Sequence, residues 1–341
     1  MKQYPLYLGT AIGLLMAGVG WAHADSLTLY CGADETWCQQ MARGFEEETG
    51  MTVDMTRKSA GEVYAQVKAE ADNPKGDIWW AGTGDPHLQA AEEGLTDEYT
   101  SPLMGELHDW AVKQAETGQH RTVGVYSGAL GFGYNKDLLA KNNLPEPKCW
   151  ADLIKPEYKG QIQIANPNSS GTAYTMLATM VQLFGEEKGF DYLKALHKNV
   201  NQYTKSGSAP IKAAGLGETT IGIVFMHDAV SQTAAGFPVV AVAPCEGTGY
   251  EIGSMSIIKG ARNPDAAKKF YDWALRADVQ SKAQEVKAFQ LPSNKAAKQS
   301  PLAPDLSTIK LIAYDFKKYG SSEERKRLLK KWDDEVGSQP Q

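Results

Sequence analysis

Thr122–Tyr134 reads T-V-G-V-Y-S-G-A-L-G-F-G-Y. It carries no charge and a glycine every few positions, which disfavours a helix, while its Val, Tyr and Phe favour an extended chain. Glycines inside a strand mark bends and close backbone approaches, so this stretch reads as a bent crossing strand. Val239–Ser256 has the same extended character and reads as a return crossing.

On either side of the first crossing the chain alternates short apolar strands with amphipathic helices. Before it come a strand at Ser26–Tyr30, a helix at Glu35–Thr49 ended by Gly50, a strand at Thr52–Thr56 and a helix opened by Ser59-Ala60-Gly61. A buried strand at Asp77–Trp80 and the turn Ala81–Asp85 complete that series. After Pro145-Glu146-Pro147 the pattern repeats. It runs through a strand at Gln161–Ala165, a polar loop, a helix at Ala173–Phe184 and a helix at Asp191–Val200. A strand at Gln202–Lys205, a helix through Ala214 and a strand at Thr220–Phe225 follow. Asn263-Pro264-Asp265 opens a further helix, and the chain from Lys259 onward is expected to be helical and charged on one face.

A β-α-β-α-β series predicts a mostly parallel sheet with helices on both faces. Two such series joined by two crossings predict an α/β, two-lobed clamshell with two hinge crossings. Lobe one is assigned to residues 25–124 plus 257–341, lobe two to 125–256. Ligands of parallel sheets bind beyond the carboxyl ends of the strands, here in the cleft between the lobes.

Residues 1–24 read as an export signal: Lys2, an apolar stretch from Leu6 to Trp21, then Ala22-His23-Ala24 as an A-x-A site cleaved after Ala24. Four glycines and a threonine in a short stretch argue against a membrane span. The chain has formal net charge −6, and loss of Lys2 with the leader leaves −7, which argues against nucleic acid or anionic membrane as partner. A soluble periplasmic protein, monomeric, follows as the expectation. In an oxidising compartment the four cysteines should pair. Four cysteines allow three connectivities; the expected one is Cys31 with Cys38 and Cys149 with Cys245. No C-x-x-C occurs, and no histidine has ligand-like spacing to a cysteine, so no metal or cofactor is expected.

The loops supply anion chemistry. Asn168-Ser169-Ser170-Gly171-Thr172 precedes one helix and Ser206-Gly207-Ser208-Ala209 another. Hydroxyls and free N–H groups at a helix start suit phosphate or carboxylate, although Ser and Thr there also serve as ordinary N-caps. Asp228 and Glu251, with His227 beside them, fall on cleft-facing elements. Carboxylates accept from sugar hydroxyls or pair with an ammonium, and each also has a structural reading as a hinge hydrogen bond. From lobe one, Asp34, Thr36 and Trp37 are placed to cover a sugar, Trp37 by stacking or by packing. Ser59, Ala60, Gly61, Thr83 and Gly84 offer donors without bulk. Arg57 and Lys58 either neutralise phosphate or lie on a solvated face.

Several stretches carry a family resemblance: Leu29-Tyr30-Cys31, Ala60-Gly61-Glu62-Val63, Gly76-Asp77-Ile78-Trp79-Trp80 and Gly131-Phe132-Gly133-Tyr134-Asn135. Trp150-Ala151-Asp152-Leu153, Ser170-Gly171-Thr172 and Gly260-Ala261-Arg262-Asn263-Pro264 continue it. In order and spacing they resemble the solute-binding proteins of ABC transporters, in the ferric-iron-type branch, which implies the type II periplasmic binding protein form of the clamshell. The resemblance implies an uptake role, with a permease in the inner membrane as partner. Ferric-binding members hold the metal on adjacent tyrosines after the strand matching Thr220–Phe225. Here that position reads Met226-His227-Asp228, and no Tyr-Tyr pair occurs. Hexose-phosphate-binding members place a His-Asp pair there and a glutamate on the return crossing, which His227-Asp228 and Glu251 match. The resemblance therefore implies a phosphorylated polar solute such as a sugar phosphate, with an aminoethylphosphonate-like ligand or ferric iron as alternatives. No catalytic motif such as Gly-x-Ser-x-Gly, His-Glu-x-x-His or a P-loop occurs, so no enzyme is expected.

Overall fold

The computed structural model describes residues 26–340 together with Met1, and the leader and its cleavage site lie outside the described residues. The first lobe opens with β1 (Ser26–Cys31), α1 (Glu35–Thr49), β2 (Thr52–Arg57), α2 (Ala60–Ala69), β3 (Ile78–Thr83), α3 (Gly84–Glu92) and α4 (Asp109–Thr117). The long strand β4 (Val123–Asn135) and α5 (Lys136–Lys141) lead into β5 (Ile162–Ala165), α6 (Gly171–Phe184), α7 (Glu186–His197), β6 (Val200–Thr204) and α8 (Ala209–Leu216). Next are β7 (Ile221–Phe225), α9 (Met226–Ala234), β8 (Val239–Val242) and β9 (Tyr250–Ile257). The chain closes with α10 (Pro264–Ala274), α11 (Ala277–Gln280), β10 (Leu291–Pro292), α12 (Phe316–Tyr319) and α13 (Ser322–Trp332).

Strand order is β2-β1-β3-β9-β4-β7-β5-β6, with β8 and β10 also on β4. Parallel pairing joins β1 to β2 and β3 in one lobe, and β5 to β6 and β7 in the other. The strand β4 belongs to both sheets. Its first half, Val123–Ala129, runs antiparallel to β9, and its second half, Leu130–Asn135, to β7 and β8. This is the two-crossing clamshell, and every parallel strand delivers its carboxyl end to the interlobe cleft.

The first core gathers Leu27, Leu29, Phe45, Ile78, Trp80, Met255 and Phe270, and the second Phe132, Trp150, Ile162, Tyr174, Phe190 and Ile223. Trp79 is fully buried in a satellite of the first core, as a core reading of the Trp79-Trp80 pair requires. The packing corrects one assignment. Residues 257–341 were expected in lobe one, yet Tyr314, Tyr319, Leu328, Trp332 and Val336 join the second core. An amphipathic pattern tells which side of a helix is apolar, and says nothing of which lobe covers it. The expectation of continuous helix also fails between Lys287 and Asp315, where the chain is largely irregular. The return crossing divides into β8 and β9 around a turn holding Cys245.

Both disulfides form as expected, Cys31–Cys38 and Cys149–Cys245, and the described residues include no free cysteine. The second pins the β8–β9 turn to the entry of lobe two. Around it Cys245 N donates to Lys148 O at 3.1 Å, and the Glu246 carboxylate accepts from Trp150 N and Ala151 N, each at 2.8 Å. Glu246 and the two cysteines are near enough to form a metal cluster geometrically, but both sulfurs are consumed in the disulfide. Cys149 and Cys245 stand 96 residues apart. Closing so long a loop restricts the unfolded chain, so a Cys149→Ser, Cys245→Ser double variant should lose about 2–4 kcal/mol, read from urea midpoints. A variant as stable as the parent would refute this.

Candidate functional site

Six helices begin at the cleft, because each follows a parallel strand or crossing loop that ends there. Asp34, Ser59 and Thr83 occupy the N-cap positions of α1, α2 and α3, and Ser170, Ser208 and Phe225 those of α6, α8 and α9. A helix start exposes unpaired N–H groups and the positive end of the dipole. Six together make the cleft electropositive before any charged side chain is counted.

One group of polar residues lies where the lobes meet most closely. Ser170 is buried and its Oγ caps α6 by accepting from Ala173 N at 3.4 Å. Ser59 Oγ and Thr83 Oγ1 are buried with no hydrogen-bond partner among the described residues. A Cβ on Gly171 would stand 1.8 Å from Thr83 Oγ1, and one on Gly61 2.5 Å from Asn168 O, so only glycine lets the lobes come this near. Gly61 N donates across the cleft to Ser169 O at 3.1 Å. Arg57 extends Nε to Ala33 O at 2.9 Å and Nη2 to Ser206 Oγ in the other lobe at 3.2 Å. At the rim Ser208 Oγ donates to Asp34 Oδ1 at 2.7 Å, and Lys212 Nζ lies 3.1 Å from the same oxygen. Burial alone would raise the Asp34 carboxyl, but the Lys212 charge, bonds from Ser208 and Lys212, and Arg57 outweigh it and hold it low. The cleft is closed.

The second group is acidic. His227 and Asp228 open α9 and Glu251 sits on β9; the side chains of His227 and Glu251 are 5% and 3% exposed and that of Asp228 is 15% exposed. His227 Nε2 lies between the two acids, 3.6 Å from Asp228 Oδ1 and 3.7 Å from Glu251 Oε1. Its Nδ1 has no partner, and the ring packs where a Cβ on Gly128 would stand 2.4 Å away. Burial pushes the imidazole down to about 3, leaving it neutral at physiological pH. Burial drives both carboxyls well above the usual range; the charge of Asp34 adds to the shift of Asp228, and Asp228 and Asp85 to that of Glu251. Tyr126 closes this end, its hydroxyl accepting from Gly82 N at 3.1 Å.

Of the residues expected at the site, Asp34, Thr36, Ser59, Ala60, Thr83, Ser170, Gly171, Thr172, Ser208, His227, Asp228 and Glu251 all line one pocket. Gly84, Asn168, Ser169 and Ser206 do not. A Cβ on Gly84 would meet Gln114 Nε2 and Ile252 O, so this glycine seats α3 on the crossing strand instead. Asn168 turns outward and donates to Asp333 Oδ1 at 2.8 Å. Ser169 Oγ is spent on Asn166 O and Lys205 O, and Ser206 serves Arg57. Trp37 both lines the pocket and packs edge-on against Trp80, with ring centroids 5.0 Å apart. Tyr126, Ser231, Val286, Lys287, Ala288 and Gln290 also line the pocket, and no motif marks them in the sequence. Lys287 among them has a left-handed backbone, φ 59°, a conformation rare for a residue with a side chain.

Residues 73–318 match the family of bacterial extracellular solute-binding proteins. The chain belongs to that family. An uncharacterized protein of Haemophilus influenzae is 46% identical to this solute-binding protein over 342 residues, 98% of this chain and 99% of that one. The periplasmic binding protein AfuA of Actinobacillus pleuropneumoniae, solved with exogenous fructose-6-phosphate bound, is 47% identical with TM-score 0.90, over 92% of this chain and 99% of that one. Iron-bound HitA of Pseudomonas aeruginosa shares the fold at TM-score 0.74 and 19% identity, over 90% of this chain and 99% of that one. Solute-binding proteins of this kind take small molecules and work with the permeases of ABC transporters; this chain shares its fold with a ferric-binding protein and is 47% identical to a relative solved with a sugar phosphate bound.

The buried acids carry a stability consequence. A folded carboxyl that holds its proton more tightly than the unfolded one loses stability as pH rises from the unfolded carboxylate range toward its own folded value. Replacing Glu251 by Gln removes that loss. The ligand-free Glu251→Gln protein should therefore melt several degrees above the parent at about pH 7.5, with the gain shrinking toward about pH 4.5. Thermal scans across that range test it, and a variant less stable than the parent at neutral pH would contradict it.

Proposed function

We propose that this protein is the periplasmic receptor of an ABC uptake transporter, exported by cleavage after Ala24, and that it carries a phosphorylated polar solute of the sugar-phosphate class to a permease in the inner membrane. The observation that carries this reading is the convergence of six helix starts with the buried, unpartnered hydroxyls of Ser59 and Thr83 in a closed cleft. N–H groups and hydroxyls satisfy phosphate oxygens at fixed distance without a counter-ion of full charge. Arg57, reaching across the same cleft, adds a cation. Asp228, Glu251 and the neutral His227 then offer acceptors to hydroxyls. The relative at 47% identity has fructose-6-phosphate bound, a ligand with both kinds of group.

Ferric iron fits this donor set poorly. Hard Fe³⁺ wants anionic oxygen, typically phenolate. Tyr126 is the phenol lining the pocket, and burial with the charges of Glu251, Asp228 and Asp34 keeps its proton on. An enzyme fits no better. His227 Nδ1 has no partner, and Nε2 faces two carboxyls instead of a nucleophile.

Isothermal titration with hexose 6-phosphates, inorganic phosphate, 2-aminoethylphosphonate and ferric citrate tests the reading. A hexose phosphate should bind most tightly, and ferric citrate should give no charge-transfer absorbance. Asp228→Ala should cost about 1.5–3 kcal/mol, roughly ten- to hundredfold, on the sugar phosphate and leave inorganic phosphate nearly unchanged. Gly171→Ala should weaken both ligands together, because its methyl strikes Thr83 when the lobes close. An Asp228→Ala protein with parental affinity for the sugar phosphate would overturn the site assignment.

A further inference from the structure

The acidic end of the cleft holds two carboxyls whose protons burial holds more tightly than usual. Asp228 and Glu251 flank one imidazole nitrogen, and no Lys or Arg among the described residues lies within ion-pair distance of either. The cations whose charge acts on Asp228 are Lys212 on α8 and Arg57 on β2; Arg57 is bound to Ala33 and Ser206, Lys212 to Asp34. Lys287 lines the same pocket from the irregular chain after α11, with no ion pair to either carboxyl among the described residues. The β1–α1 loop adds Asp34, α3 adds the buried Asp85, and β4 adds the protonated Tyr126. The neutral His227 of α9 contributes no positive charge. A hydroxyl can hydrogen-bond to either form of a carboxyl and does nothing to ionise it. A buried carboxyl without an opposite charge beside it keeps its proton, and a cation brought by the solute lets it ionise.

We propose that the solute this cleft is built to hold is a phosphorylated amine, of the hexosamine 6-phosphate class, whose ammonium pairs with Asp228 and Glu251 while its phosphate meets the helix starts. This rests on the sugar-phosphate reading and narrows it. Such a ligand is complementary at both ends: an anion at the helix starts around Ser59, Thr83 and Ser170, a cation where two carboxyls lack one. Charge-assisted hydrogen bonds to a carboxylate are about twice as strong as neutral ones. The ammonium also drives the two carboxyls to ionise, so binding expels protons that burial otherwise keeps on them.

Glucose 6-phosphate and glucosamine 6-phosphate differ at one group, hydroxyl against ammonium, on the far side of the ring from the phosphate. Titration of the parent protein at about pH 7 should find the amine bound about tenfold more tightly. Its apparent heat should change with the ionisation heat of the buffer, the signature of released protons, and that of glucose 6-phosphate should change less. The preference should shrink as pH falls and the carboxyls fill. Glu251→Gln should bring the ratio of the two affinities toward one. If glucose 6-phosphate binds and the amine binds more weakly, this inference fails and the sugar-phosphate reading stands. If neither binds, both fail.

Discussion

The antiparallel ladder between β4 and β9 is the constraint on which the rest depends. Val123–Ala129 pairs with Tyr250–Met255, and the same β4 strand goes on from Leu130 to pair with β7. The strand β9 thus edges the parallel sheet of one lobe through β3, β4 edges that of the other through β7, and their shared ladder joins the two. It holds the sheets in a fixed order while leaving the helices on either side to approach or part. Glycine spacing on β4 follows from this duty. A Cβ on Gly124 would meet Ala111 of α4, one on Gly128 the His227 ring, and one on Gly131 Val242 O and Met226. The strand is crowded from both lobes, and the crossing survives only where side chains are missing.

From that geometry the cleft's electrostatics follow. Parallel strands on both sides of the crossing point their carboxyl ends at one place, so the helices after them start there. The positive potential is a backbone property, set by topology before any side chain is chosen. Side chains then divide the cleft. Where the lobes touch, Gly61 and Gly171 bring backbone and hydroxyls into contact range, and Gly207 lets two loops of the second lobe close on each other at Thr172 and Ser170. Beside the crossing, Glu251 on β9 and His227 and Asp228 on α9 bring carboxyls into a dry place. Glu251 pairs in register with Gly128, the residue against which His227 packs. The acid and the imidazole are therefore placed by the same pair of strands that join the lobes.

Much of this was legible in the sequence because it rests on local signals. The helix Glu35–Thr49 ends at Gly50 with φ 73°, the left-handed cap that glycine supplies, and Asn263-Pro264 opens α10. Strand ends and helix starts locate a cleft in a parallel α/β lobe, so twelve of the expected residues reach the pocket. The failures share one cause. Within a polar loop, which hydroxyl faces the ligand depends on contacts made later in folding: Ser170 caps α6 beside the pocket, while Ser169 next to it bonds back to Asn166 and Lys205. The Val286–Gln290 wall lies in irregular chain, without periodicity to read.

The C-terminal arm was misassigned for a reason that bears on how the lobes are joined. It belongs to both. Tyr319, Leu328 and Trp332 are buried in the second core, yet Ser322 N donates to Glu92 Oε2 at 2.6 Å and Lys326 Nζ reaches Glu93 Oε1 at 2.8 Å, at the end of α3. Between them Arg325 is 2% exposed; its guanidinium lies 3.9 Å from the Tyr174 ring centroid on α6, and its Nε donates to Gln89 Oε1 on α3 at 2.9 Å. The same two helices begin at Thr83 and Ser170, the pair that meets across the cleft. A fully buried arginine with polar and aromatic partners in different lobes is expensive to pull out of place. It therefore acts as a tie behind the cleft, fixing the approach of α3 to α6 where no ligand reaches. The Asp85 carboxyl, pushed up to about 6 by burial with Arg325 opposing the shift, lies in the first turn of α3 between that tie and the pocket. The lobes are thus held along three lines, the β4 and β9 crossings and this arm.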